Sequence, residues 1–156
     1  MSPKILEARA ALKALGYNTR QVSIRQAHST LRFTIRDAAI NLAAVYAIAR
    51  DAEQISRCSV SGEILCGGNT FTDVCLADDV AATLRAPLQA ALAAAGESEH
   101  YDLSAVPGLA GVSVYRCDPW TWSSNRTYTR TSTPLEAAFA AWWHLNVVAP
   151  PVPGPA

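Results

Sequence analysis

Three groups of residues in this 156-residue chain have the types that do chemistry, and each has a plainer reading beside it. Gly67-Gly68-Asn69-Thr70 could cradle a phosphate, because consecutive backbone N–H groups bind anions. A P-loop also needs a lysine followed by Ser or Thr, and neither is in place. Glycine takes positive φ without a Cβ clash and asparagine tolerates it, so Gly67, Gly68 and Asn69, with Gly62 upstream, read better as structural turn residues. Cys66, His28 and Asp73 supply, in type, a nucleophile, a base and an orienting acid. Nothing local activates them, and a buried thiol with two turn residues is the plainer reading. His28, His100 and His144 and the cysteines at 58, 66, 75 and 117 lack ligand spacing such as His-x-x-x-His or Cys-x-x-Cys, so neither metal nor cofactor is expected. Asn125-Arg126-Thr127 fits a glycosylation acceptor by formula and a turn by context. No catalytic residue is assigned, and the chain reads as non-enzymatic.

Two other groups have the types that bind macromolecules. Arg20, Arg25, Arg32 and Arg36 fall in and beside two alternating segments, which would line cations along one exposed sheet face for a nucleic-acid backbone. Arginines on exposed strands also serve solubility and edge protection. Trp120 and Trp122 sit in a segment stiffened by Pro119, and alternation along 126–131 sets Arg126, Tyr128 and Arg130 on one side; Trp, Tyr and Arg dominate binding hot spots. Trp142 and Trp143 carry a core reading, one of them beside Phe139, whereas Trp120 and Trp122 suit a loop plug and a partner contact equally.

The elements that must position these residues follow from periodicity. Ser2-Pro3 and apolar steps through Ile5, Ala8, Leu12 and Leu15 predict a helix over 3–15. Alternation predicts strands over 21–26 and 31–36, turning at His28-Ser29-Thr30. Asp37 caps an expected helix over 38–54 with Ile40, Val45, Ile48 and Ala52 inward. The central stretch 61–76 reads as a β-hairpin, 63–66 against 70–76, about Gly67-Gly68-Asn69. A third helix carries Val80, Leu84, Leu88 and Ala91, with Pro87 breaking or bending it. A linker over 96–108, a strand over 111–117, a loop over 118–125 and a strand over 126–131 lead to a last helix opened by Thr133-Pro134-Leu135-Glu136. A proline-rich tail fills 150–156.

This order, α-β-β-α-β-β-α-β-β-α, predicts a single compact α+β domain over 1–149, with antiparallel hairpins and helices packed on one face. Half the residues are hydrophobic, and no run approaches a membrane span or a secretory core, so a cytoplasmic location is expected. The cysteine spacing suggests reduced, mostly buried thiols. The formal charge of zero hides a segregation: residues 1–36 hold seven basic side chains against Glu7 alone, whereas 37–102 hold three arginines against ten acids. Such asymmetry orients a charged partner or joins two faces of one fold.

Leu-Lys-Ala-Leu-Gly-Tyr-Asn at 12–18, Arg20-Gln21-Val22-Ser23-Ile24-Arg25, Phe33-Thr34-Ile35-Arg36-Asp37, and Gly62-Glu63-Ile64-Leu65 with Gly67-Gly68-Asn69 resemble a large polyvalent protein-associated domain family of phages and other mobile elements. The resemblance covers about residues 5–76, making 1–96 the family-like half and 97–149 the divergent one. It implies a mobile-element protein in a bacterial host cell. The expected function is that of an anti-CRISPR-like inhibitor that binds and blocks a host protein or ribonucleoprotein defence complex through Trp120, Trp122, Arg126, Tyr128 and Arg130. The alternative is a DNA- or RNA-binding accessory module using Arg20, Arg25, Arg32 and Arg36.

Overall fold

Ser2 and Pro3 open α1 (Pro3–Ala14), although the Ser2 side chain makes no capping bond. The apolar steps bury Ile5, Ala8 and Leu12, while Leu15, one residue past the helix, is exposed. Alternation then gives β1 (Val22–Ala27) and β2 (Thr30–Ile35), an antiparallel hairpin in which Ala27 faces Thr30 across a two-residue turn. His28 takes φ +53° there, the left-handed geometry that tight hairpins need at a turn position. Val22, Ile24, Leu31, Phe33 and Ile35 are buried on one side of the pleat, and α1 and α2 (Leu42–Ala52) supply Leu12, Val45, Ala49 and Ala52 to the same core.

The computed structural model of the protein describes residues 1–150; the tail expected over 150–156 therefore lies, apart from Pro150, outside the described residues. It bears out the α+β class, with four helices, a π-helical turn and two three-stranded sheets. The chain divides into two compact units, Met1–Ala81 and the residues from Ala82 onward. No helix among the described residues is long and apolar enough to cross a membrane.

In the first unit, the central hairpin expected over 63–76 is not made. β3 (Phe71–Leu76) pairs in parallel with β2, from Thr30 opposite Phe71 to Ile35 opposite Leu76, and α2 lies on the crossover between them. The first sheet is therefore mixed, in the order β1-β2-β3. Residues 63–66 fold instead against 54–58: Gln54 and Thr70 exchange both backbone bonds, Leu65 N donates to Ser56 O, and Cys58 N donates to Glu63 O. The second helix also begins later than expected. Asn41, not Asp37, is its cap, with Oδ1 accepting from Ala44 N at 3.0 Å. Asp37 accepts from Ala39 N and from Gln21 Nε2, bonds that hold its carboxyl below the usual range and keep it out of the helix.

α3 (Asp78–Ala95), most of which belongs to the second unit, contributes Leu88 to that unit's core and runs unbroken past Pro87 instead of dividing there. Pro87 is exposed, and Ala86 before it and Leu88 after it are both strong helix formers. β4 (His100–Asp102), unexpected within the 96–108 linker, β5 (Ser113–Asp118) and β6 (Thr121–Ser124) form an antiparallel sheet with a register shift between Arg116 and Asp118. The strand expected at 126–131 shrinks to one bridge between Thr131 and Trp122, and the expected loop 118–125 holds β6. α4 (Pro134–Trp143) is capped by Thr133 Oγ1, which accepts from Glu136 N, and continues into a π-helical turn, His144–Val148. Its tightly packed residues are Ala137, Ala138 and Ala141; small side chains let the helix approach the core closely, and Leu135, Phe139 and Trp142 flank that contact half-buried.

Candidate functional site

The pleat that buries Val22, Ile24, Leu31, Phe33 and Ile35 turns Ser23, Arg25, Thr30, Arg32 and Thr34 to the opposite face. No helix of this unit buries that face, and a shallow concavity of about 670 Å³ lies on it, lined also by His28, Arg36 and Cys75. Arg25 and Arg32 are direct cross-strand partners. Like charges so placed repel, by up to roughly 1 kcal/mol, so the pair favours an anion between or above them. Arg32 is steadied from β3: its Nε lies 2.9 Å from Asp73 Oδ2, at the register position that faces it. Asp73 is the acid on this face, and it engages Nε alone. Beyond it, Thr34 Oγ1 and Cys75 Sγ lie 3.4 Å apart. Arg20 is exposed in the turn before β1, and Arg36, also exposed, donates its backbone N–H to Gln21 O at 2.8 Å. Three of the four expected arginines, Arg25, Arg32 and Arg36, thus share one concavity, and Arg20 stands outside its lining.

The four turn residues keep their structural role with changed partners. Gly62, Gly67 and Gly68 all take positive φ, +72°, +83° and +70°. Gly62 closes the tip of the 54–70 arm, where its N–H donates to Cys58 O. Gly67 and Gly68 loop out of the arm, and the Asn69 amide fills the missing rung: Oδ1 accepts from Ser56 N at 2.8 Å while Nδ2 donates to Leu65 O at 2.6 Å. Gly67 and Gly68 thus form a bulge in one arm, not a turn between two sheet strands.

The aromatic group separates. Trp120, at the β5–β6 turn, is 82% exposed and Tyr128 is 103% exposed. Trp122 instead packs against the core, its ring 5.8 Å from that of Tyr101 and 5.8 Å from the Arg116 guanidinium. Asp118 organises the turn by accepting from Trp120 N, Thr121 N and Thr121 Oγ1. These bonds, the Thr121 hydroxyl first, hold its carboxyl below the usual range, and Arg130 adds to them at 3.2 Å. Trp120 and Arg130 are therefore gathered on one carboxylate. Arg126 and Tyr128 lie in a non-strand segment whose backbone Ser124 Oγ ties down at Arg126 N and Thr127 N. The alternating face expected from 126, 128 and 130 does not form.

The thiols differ from expectation too. Cys58 and Cys75 are half-buried and Cys66 and Cys117 exposed, all four unpaired. Cys66, His28 and Asp73 are joined by no hydrogen bond among the described residues, and Asp73 belongs to Arg32. No group of three metal-ligating side chains occurs among the described residues. Sequence reasoning missed Cys58: hydrogen bonds from the Ser61 hydroxyl, then from the Ser61 and Val60 backbone, lower its thiol to about 7. The signal available was Ser61 three residues on, at the head of a glycine turn. Because the thiolate is the nucleophile, Cys58 should be half-ionised near pH 7. Peptide mapping after limited iodoacetamide treatment at that pH should find Cys58 modified before Cys117, and Ser61→Ala should move the half-point of its pH profile upward; equal rates at both cysteines contradict this.

Comparison with known proteins returns no matching family model, no matching curated protein and no matching solved structure.

Proposed function

We propose that the chain is a binding protein and not a catalyst, and that the outer face of the β1-β2-β3 sheet holds a nucleic acid. The observation that carries this reading is the uncovered concavity in which Arg25, Arg32 and Arg36 stand among the hydroxyls of Ser23, Thr30 and Thr34. Guanidinium groups pair with phosphates in a planar, two-pronged fashion, and hydroxyls add shorter-range contacts to phosphate or base edges. With the family resemblance proposed for residues 5–76, the role we propose is an accessory one on the nucleic acid of a phage or mobile element, in the cytoplasm of a bacterial host. Fluorescence anisotropy with labelled duplex and single-stranded DNA and with RNA, from low to moderate salt, tests the reading. We expect saturable binding to at least one probe, with log affinity falling by about 0.7–0.9 per phosphate contact for each decade of salt. No binding to any probe at low salt overturns it.

A second reading is an anti-CRISPR-like inhibitor that occludes a host defence complex. It draws on Trp120 and Tyr128, whose exposed rings lie in the segments that Asp118 and Arg130 join. Exposed aromatics beside arginine suit a protein-binding hot spot. Retention of a defence ribonucleoprotein by the wild-type chain, lost with Trp120→Ala, is the expected result; retention undiminished by Trp120→Ala together with Tyr128→Ala removes this surface from the reading.

A further inference from the structure

The opposite side of the same hairpin has its own cavity. Where α1 approaches β1, a cleft of about 330 Å³ opens over the side chains of Leu12, Val22 and Ile24, which are themselves at most 5% exposed and form an apolar floor. Arg9, Lys13 and Tyr17 stand around it. Tyr17 is fixed, its hydroxyl oxygen accepting from Asn41 N at 2.9 Å. Arg9 Nε is shielded from water and has no acceptor, and Nη1 of the same group meets only the weak acceptor Met1 Sδ at 3.3 Å. Neither Arg9 nor Lys13 forms an ion pair among the described residues, Glu7 on the same helix being paired with Lys4. No carboxylate lines the cleft.

We propose that this cleft, framed by Arg9, Leu12, Lys13, Tyr17, Val22 and Ile24, binds a small organic anion consisting of a carboxylate on an apolar body. The apolar floor selects the body, because a polar group set against Leu12, Val22 and Ile24 would lose its hydrogen bonds to water without replacement, whereas an aliphatic or aromatic one would not. The two cations without ion-pair partners select the head: a carboxylate accepts from the Arg9 guanidinium and the Lys13 ammonium at the rim with charge assistance. The volume lies at the lower end of the roughly 300–1,000 Å³ of small-molecule sites, which restricts the ligand to a short aliphatic or single-ring acid. Val22 and Ile24 point away from Ser23 and Arg25, so this site is distinct from the nucleic-acid face and does not depend on it.

Octanoate, 1-octanol and acetate, titrated separately into the full-length protein, test the proposal by calorimetry and by backbone amide NMR. Octanoate should bind saturably, at least about tenfold more tightly than 1-octanol, and acetate should not bind measurably. Shifts should concentrate over 9–24. Arg9→Gln should weaken octanoate by about tenfold or more. Lys13→Gln, at an exposed position where folding is not at stake, should weaken it by severalfold. Octanol binding within tenfold of octanoate, shifts centred elsewhere, or unchanged affinity in Lys13→Gln overturns the proposal.

Discussion

Reversing the two cross-strand arginines, Arg25→Glu with Arg32→Glu, should weaken nucleic-acid binding by about 100-fold or more at low salt while the chain remains folded. Each contact of an arginine with phosphate or a base edge contributes roughly 1–3 kcal/mol, and reversal adds repulsion to the loss, so two sites together exceed about 2.7 kcal/mol. Both side chains are exposed and leave the buried face of β1 and β2 unchanged. Arg32→Glu also places a carboxylate opposite Asp73, where an ion pair now stands. The neutral pair Arg25→Gln with Arg32→Gln separates the two effects: it should lose less affinity, and the log-log salt slope should fall by about two. Anisotropy reads the affinities and far-UV circular dichroism the fold. Wild-type affinity in the reversed variant places any nucleic-acid contact away from this sheet.

The tryptophans of the β5–β6 hairpin should behave in opposite ways. Trp122→Ala removes a half-buried ring that touches Tyr101, the Arg116 guanidinium and the second core, and should lower stability by about 2–3 kcal/mol, somewhat less than a fully buried aromatic. Trp120→Ala removes a ring that is 82% exposed and should stay within about 0.5 kcal/mol of wild type. Urea unfolding followed by circular dichroism distinguishes them through the midpoints. Equal midpoints contradict the division of these two residues into core and surface, which their sequence positions alone do not suggest.

The reason lies in which interactions are local. Val22 and Ile24, then Leu31, Phe33 and Ile35, alternate with polar residues, and the turn is short, so both strands and the arginine face are legible from period two. The partner of β3 is not local: Phe71–Leu76 could pair backward or with β2, and no pattern within the segment decides between them. The apolar run at 63–66 resembles a strand, but Ile64 and Leu65 remain 47% exposed because they pair with the 54–58 segment outside either sheet. Arg126, Tyr128 and Arg130 alternate without becoming a strand, since neither face of that segment is buried. Trp122 owes its burial to Tyr101 and Arg116, brought to it by β4 and β5. Asp37 and Asn41 are both good caps by type, and only the bonds from Ala39 N and Gln21 Nε2 show why the first is not used.

The parallel pairing of β2 with β3 also bears on how the first unit assembles. β1 and β2 meet across two residues, so that hairpin can close on a timescale of about 1–10 μs. β3 can add to β2 only after the intervening 36–70 segment, with α2 and the 54–70 arm inside it, has been brought into a loop. Closure of such a loop carries an entropic penalty before any sheet contact rewards it. The arginine-bearing strands can therefore be in place before Asp73 arrives to steady Arg32, and the last step in building the sheet completes its basic face.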